Sequence, residues 1–377
     1  MQTQVSFWEH ERWLGPADVV IAGSGIVGLS AAISLKEKHP GLRILVAERG
    51  ALPSGASTKN AGFACFGSVT ELADDMKHSA ENEIIALAER RLRGLELLRR
   101  RLGDAAIHYE ALGGYELFET DENYAEYADY MQHLNRLLQP ITQLESTYVN
   151  ADSAISRFGF SGVKHLILNT AEGQINTGGM MEALLDKARN AGIQIITGLH
   201  ITGFEDEADA LRLFTENGYE LRTQQLVICT NGFAQQLLPE LNVHPARAQV
   251  LITKPIEDLK FEGAFHYDRG YYYFRNVGNR VLFGGGRNLN FEGETTTEHS
   301  LTEQIQQRLD DLLRDVILPG VNYDVEMRWA GTMGVGDQKK PIVKRLSPRV
   351  CCAVRMGGMG VALGSLVGEE VAELLLK

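Results

Sequence analysis

Apolar and polar positions change period repeatedly along this chain. A short apolar run over 18–22 predicts a buried strand, and 24–38 carries Ile26, Leu29 and Ile33 at helical spacing. A second apolar run over 43–48 predicts another strand. Strand, glycine turn, helix and strand in that order form a βαβ unit, which is right-handed in a parallel sheet. From 81 to 102, Ile84, Leu87, Leu92, Leu95, Leu98 and Leu102 recur near the helical period. The arginines among them (Arg90, Arg91, Arg93, Arg99, Arg100 and Arg101) lie beside Glu81, Glu83, Glu89 and Glu96, and read as a solvated helix face. A strand is expected over 109–119. An amphipathic helix through Tyr124, Tyr127, Met131, Leu134 and Leu138 follows, closed by Pro140.

The second half begins in the same manner. Positions 176–191 predict a helix with Gly192 at its end, 193–197 a strand, and 225–230 a buried strand leading into Asn231-Gly232. From 249 to 287 the pattern turns antiparallel, with strands over 250–253, 271–274 and 281–283 and glycine-bearing turns between them. A helix over 301–317 stops at Pro319, and 321–329, 349–354 and 361–376 read as strand, strand and helix. A chain of 377 residues suits about two domains. The fold expected is α/β: a Rossmann-type domain on a parallel sheet (1–80 with 150–235 and 325–377) interleaved with an α+β domain on a mainly antiparallel sheet (81–149 with 236–324).

Composition narrows the partners. The net charge of -12 disfavours nucleic acid and anionic membrane surfaces. Cys65, Cys229, Cys351 and Cys352 lack metal-binding or disulfide spacing, and the adjacent pair should point to opposite faces of a strand. Neither a disulfide framework nor a metal site is expected. Positions 1–15 lack the apolar stretch of a secretory signal, and no run reaches the ~18 apolar residues of a membrane span. The expected location is the cytoplasm.

The strongest local signal is Gly23-Ser24-Gly25-Ile26-Val27-Gly28. Gly23 suits the tight turn, Gly25 a close approach of backbone to a pyrophosphate, and Gly28 close packing of helix on strand. The helix N-terminus then offers unpaired N–H groups to phosphate. Glu48, at the end of the second strand, is placed to accept hydrogen bonds from ribose hydroxyls, which disfavours a 2′-phosphate. The loop alone leaves FAD and NAD open.

Further segments bear on that choice. Glu48-Arg49-Gly50 follows the second strand, and Gly55-Ala56-Ser57-Thr58-Lys59-Asn60-Ala61-Gly62 follows it closely. Glu172 to Asn176 precedes a helix, and Trp329-Ala330-Gly331, Lys340-Pro341-Ile342 and Gly357-Gly358-Met359-Gly360-Val361-Ala362 lie near the C-terminus. In this order and spacing the chain resembles the D-amino-acid oxidase, glycine oxidase and sarcosine oxidase family of FAD enzymes. The resemblance implies that FAD is held by the Gly23–Gly28 loop with Glu48 and Arg49, by Ser57, Thr58, Asn60, Ala61 and Gly62, by Thr230, Asn231 and Gly232, by Gly331, and by Gly357, Gly358, Gly360, Val361 and Ala362. It also implies non-covalent binding, because no cysteine stands at Gly331 or beside it. Backbone N–H groups of the 356–364 turn would then face the N1–C2=O edge of reduced flavin.

The family oxidises a C–N bond of an amino acid or amine by hydride transfer to flavin N5, and the imine then hydrolyses. The cofactor carries the hard step, and no catalytic base is required for a neutral amine. On the expected strand Tyr271, Tyr273 and Arg275 share a face suited to a carboxylate, and Arg287 is a second candidate. Where relatives carry the carboxylate-binding arginine, this chain has Thr332-Met333. A second such arginine falls on Gly358, and an oxygen-activating lysine on Leu282. Met333 suits a larger or less anionic amine, and Lys59 lies over the flavin or on phosphate. Oxygen or another electron acceptor, a non-enzymatic flavin-binding role, and oxidation of a hydroxy acid all stay open.

Overall fold

The computed structural model describes residues 4–377. Positions 1–3 of the N-terminal segment fall outside them. Two eight-stranded sheets organise the chain. In the first, Val350–Val354, Glu220–Ile228, Ala17–Ala22, Ile44–Glu48 and Gln194–Thr197 run parallel in that order, and Ile342–Ser347 adds an antiparallel edge. Apolar side chains cover both faces of this sheet, as a parallel sheet requires. Cys351 packs into the core on one face and Cys352 into the core on the other, as strand alternation predicts.

The second sheet runs Val325–Val335, His244–Thr253, Arg280–Gly285, Tyr272–Val277, Ala264–Tyr267, Gly114–Phe118, His165–Asn169 and Tyr148–Asn150. All its pairs are antiparallel except Ala264–Tyr267 with Gly114–Phe118. The strands around 148–169 and 325–335 therefore belong to this sheet, and the chain returns to the first sheet later than division at 150 and 325 implies, after 169 and after 335.

Several elements differ in extent from the pattern-based reading. The first long helix is Ile26–Lys38, because Gly23 to Gly25 are consumed by the turn. Pro140 does not end its helix, which continues to Thr142 and stops where Gln143 adopts a left-handed conformation, φ 59°. The strand expected over 321–329 starts at Val325 and runs through Gly331 to Val335, held along its length by His244–Thr253. The edge strand Ile342–Ser347 follows the Lys340-Pro341 dipeptide and was not expected. Arg91 is not on a solvated face. It is 2% exposed and donates to the Phe66 carbonyl and to Glu71, while Arg90, Arg99 and Arg101 form ion pairs with Glu370, Asp104 and Glu37.

One helix contact positions the site. The C-terminal helix Gly360–Leu376 crosses Ile26–Lys38 so closely that a Cβ on Gly368 would lie 2.6 Å from Ser30 Cβ and 2.7 Å from Ala31 N. A Cβ on Gly364 would meet the Ile26 side chain at 2.6 Å. The start of the C-terminal helix is thereby fixed beside the start of Ile26–Lys38. Among the described residues no helix is long and apolar enough to cross a membrane.

Candidate active site

At the carboxyl ends of the parallel strands lies a cleft lined by Gly23, Gly25, Glu48, Arg49, Ser57, Thr230 and Phe233, among others. Crevices at this end of an open α/β sheet are where such folds take ligands. Glu48 is 6% exposed. One carboxylate oxygen accepts from Ser24 N and Oγ at 3.2 and 2.7 Å, the other from Gly50 N at 2.9 Å. Ile26 N–H, in the unpaired first turn of its helix, donates to Ser57 Oγ at 3.0 Å. Arg49 lies 3.6 Å from the centroid of Phe233, a side chain that the sequence did not single out.

The cleft has the chemistry of a dinucleotide site. Thr230 Oγ1 and Thr332 Oγ1 are buried on its wall without a hydrogen-bond partner among the described residues, a cost that a polar ligand removes. A Cβ on Gly25 would stand 2.8 Å from Ser57 Oγ, so glycine leaves the floor of the cradle clear.

The other expected FAD residues also make contacts within the protein. Asn60 Oδ1 accepts from Gly62 N at 2.8 Å and Thr177 Oγ1 at 3.0 Å, and its Nδ2 donates to Ala56 and Ser57 carbonyls. Thr58 Oγ1 donates to Pro53 and Gly55 carbonyls. Asn231 Oδ1 accepts from Arg355 N and Met356 N, both at 3.1 Å, and Gly232 packs on the Met333 carbonyl. The turn at Gly357 and Gly358 has φ 59° and 86°, and leads into the helix whose first turn holds Gly360, Val361 and Ala362. Met333 reaches this turn, its sulfur 3.4 Å from where a Cβ on Gly358 would be. Lys59 packs across Gly331, and its carbonyl accepts from Trp329 Nε1 at 3.0 Å.

Strand register builds a second wall. Trp329 faces Val250, Val250 faces Gly284, Gly284 faces Tyr273, and Tyr273 faces His266, giving one row on one face of the antiparallel sheet. Phe63, from the strand just after Gly62, meets this row edge-on, 5.2 Å from His266 and 5.7 Å from Tyr273. Burial pushes His266 down to about 4 and Tyr273 up to about 12, so both are uncharged at neutral pH. Tyr271 lies just outside the strand and is 42% exposed.

Arg275 is on this face but is not open to a ligand. It is 5% exposed, and its guanidinium donates to the carbonyls of Ala61, Ile175 (2.9 Å) and Asn276 (3.2 Å). The structure thus corrects the expectation of a carboxylate-binding Arg275: the side chain clamps the 60–62 loop.

Behind this loop lies a buried acidic cluster that the sequence did not reveal. Glu172 Oε1 accepts from Phe66 N at 2.8 Å and Gly67 N at 3.1 Å, and Glu116 accepts from Ser68 and Thr70. Burial pushes Glu172 up to about 8 and Glu116 to about 7, whereas Arg91 and Lys339 overcome burial and hold Glu71 at about 2. A carboxyl raised in the fold keeps its proton there and ionises earlier in the unfolded chain. The contribution of Glu172 and Glu116 to stability therefore falls as pH rises from about 5 to about 8 and is level outside that window. Glu172→Gln keeps the acceptor for both N–H groups, so it is expected to flatten that slope and raise the melting temperature near pH 8 by roughly 2–4 °C. Thermal melts across the window check this; an unchanged slope means that Glu172 is ionised in the fold.

The sequence profile described as FAD dependent oxidoreductase (DAO) matches residues 18–374. A probable oxidoreductase OrdL of Rhizobium meliloti (strain 1021) is 23% identical over 391 residues, covering 96% of this chain and 83% of that protein. The gamma-glutamylputrescine oxidoreductase of Escherichia coli (strain K12) is 23% identical over 371 residues, covering 95% and 83%. The crystal structure of L-proline dehydrogenase from P. horikoshii superposes with a TM-score of 0.78 at 20% identity, covering 96% of this chain and 94% of that one. Glycine oxidase from Geobacillus kaustophilus gives a TM-score of 0.77 at 20% identity, covering 96% and 95%.

Proposed function

Because the chain belongs to the family of FAD-dependent oxidoreductases named DAO, we propose that it oxidises the C–N bond of an amine or amino acid. FAD would bind without a covalent link, its pyrophosphate at the Gly23–Gly28 turn, its ribose at Glu48, and its ring between the 57–62 loop, Gly331 and the Gly357–Ala362 turn. When bound, it supplies a two-electron acceptor. The relatives named for gamma-glutamylputrescine, L-proline and glycine support an amine-bearing substrate.

The observation that carries the reading is the uncharged wall of Tyr273, His266, Phe63 and Trp329 beside the Asn60–Gly62 loop. It is placed to keep water from the reacting carbon, and it presents no fixed charge and no strong base. The amine must then bind with its nitrogen lone pair free, and the protonated form is disfavoured by desolvation. Loss of two electrons and two protons gives an imine, which takes up water and releases a carbonyl compound and the nitrogen.

Purified protein is expected to show the blue absorption band of a flavin that is released on denaturation. Under anaerobic conditions a panel of amines and of D- and L-amino acids should bleach that band, faster as pH rises and the amine loses its proton. Bleaching by a hydroxy acid and by no amine would overturn the C–N reading.

A further inference from the structure

The site-facing wall continues one row beyond Tyr273. Gly331 faces Ala248 one strand period from the Trp329–Val250 pair, and across the sheet Gly286 N–H donates to the Tyr271 carbonyl at 3.0 Å. Tyr272 is buried in the opposite face, so Tyr271 emerges on the same face as Tyr273. Arg287 follows Gly286 directly. Its guanidinium lies 5.0 Å from the centroid of Phe291, and Phe291 meets Tyr271 at 6.2 Å. Both rings are exposed, at 46% and 42%.

Arg287 is half-buried yet makes no ion pair or side-chain hydrogen bond among the described residues, and its Nε and the adjacent Asn288 Oδ1 are buried without partners. The carboxylate whose charge reaches it, Glu294, is already engaged. Arg247 holds both Glu294 oxygens at 2.8 and 2.7 Å, and Gln249 adds bonds at 3.0 and 3.1 Å. A guanidinium partly withdrawn from water with no acceptor is costly, and a bidentate carboxylate removes the cost. The arginine of the inner wall does not compete, because Arg275 is committed to carbonyls.

We propose that Arg287, flanked by Tyr271 and Phe291, is an outer subsite for a carboxylate carried at the far end of the amine substrate. This rests on the C–N reading of the inner pocket. Two residues of strand separate the rows of Tyr271 and Tyr273, roughly 7 Å. An α-carboxylate, attached to the carbon being oxidised, does not span that distance; one about five bonds away does. The substrate class is thus an ω-amino acid or an amine with a comparably distant carboxylate, and not an ordinary α-amino acid.

Two measurements on the FAD-loaded protein test this. The first is calorimetric binding of hexanoate to the wild type, Arg287→Met and Arg287→Lys. Hexanoate is expected to bind the wild type, on the order of 10-fold more weakly to the lysine variant, and not measurably to the methionine variant. Equal binding to all three, or to none, overturns the subsite whatever the substrates do. The second is anaerobic flavin bleaching by 6-aminohexanoate, its methyl ester and alanine. The free acid should half-bleach at about 10-fold lower concentration than the ester, and Arg287→Met should erase that preference without changing the ester. A variant that weakens acid and ester equally shows a merely structural arginine and overturns the proposal. Hexanoate binding that depends on Arg287, with no bleaching by any amine, leaves the subsite standing and removes the C–N reading.

Discussion

Gly28→Ala is expected to yield a protein that purifies without its blue flavin band. A Cβ at this position would stand 2.0 Å from the Gly23 carbonyl oxygen and 3.4 Å from the Ile21 side chain. The first of these is backbone at the turn of the cradle, so no rotamer change relieves the clash. Either the helix start moves off the strand or the turn opens, and both displace the N–H groups offered to the pyrophosphate. A loss of FAD affinity on the order of 100-fold, about 2.8 kcal/mol, is expected. Gly41→Ala is the control, because a Cβ there meets nothing within 4 Å. Gly25→Ala should be milder, since the atom it meets is Ser57 Oγ, the end of a side chain that can rotate. Flavin content after dialysis, with circular dichroism as a check on folding, orders the three. A fully flavinated Gly28→Ala would place the cofactor elsewhere.

That prediction was open to sequence reasoning because all its parts are local. Turn, helix start, second strand and terminal Glu48 lie within a few dozen residues, and period alone gives their order. Alternation likewise placed Cys351 and Cys352 on opposite faces and Tyr273 and Arg275 on one. Alternation does not say what comes to meet a face. Arg275 meets Ala61 and Ile175, which are 214 and 100 residues distant in sequence. Phe63 and His266 form the inner wall only because the strands containing 63 and 266 converge there. The buried Glu172 and Glu116 resembled ordinary acids for the same reason. Trp329 could have been found, since Trp329, Gly331 and Met333 alternate along a single strand, but the strand was expected to end at 329. The interleaving of the two sheets was visible as a change of period, and the points of crossing were not.

Arg275→Met should cost more stability than activity measurements alone would reveal. The guanidinium is buried, and burial lowers it to about 10, so it is still charged at neutral pH. Its removal leaves the carbonyls of Ala61, Ile175 and Asn276 without that donor. At about 1–3 kcal/mol for each buried acceptor left unpaired, partly offset by water, the loss is on the order of 3–6 kcal/mol. That is a large share of the 5–15 kcal/mol typical of a folded domain, and it corresponds to a fall in melting temperature of roughly 10 °C. The 60–62 loop should loosen with it, because the Ile175 N–H to Gly62 carbonyl bond, 2.8 Å, lies beside the clamp. FAD affinity is therefore expected to fall as well. Arg275→Lys, which retains a charge able to reach one or two carbonyls, should recover part of both losses. A substrate-binding arginine would behave differently: the methionine variant would melt like the wild type, and KM would rise only for carboxylated substrates. Thermal melts, flavin content and KM for acid and ester forms of one amine, measured on both variants, separate a loop clamp from a substrate contact.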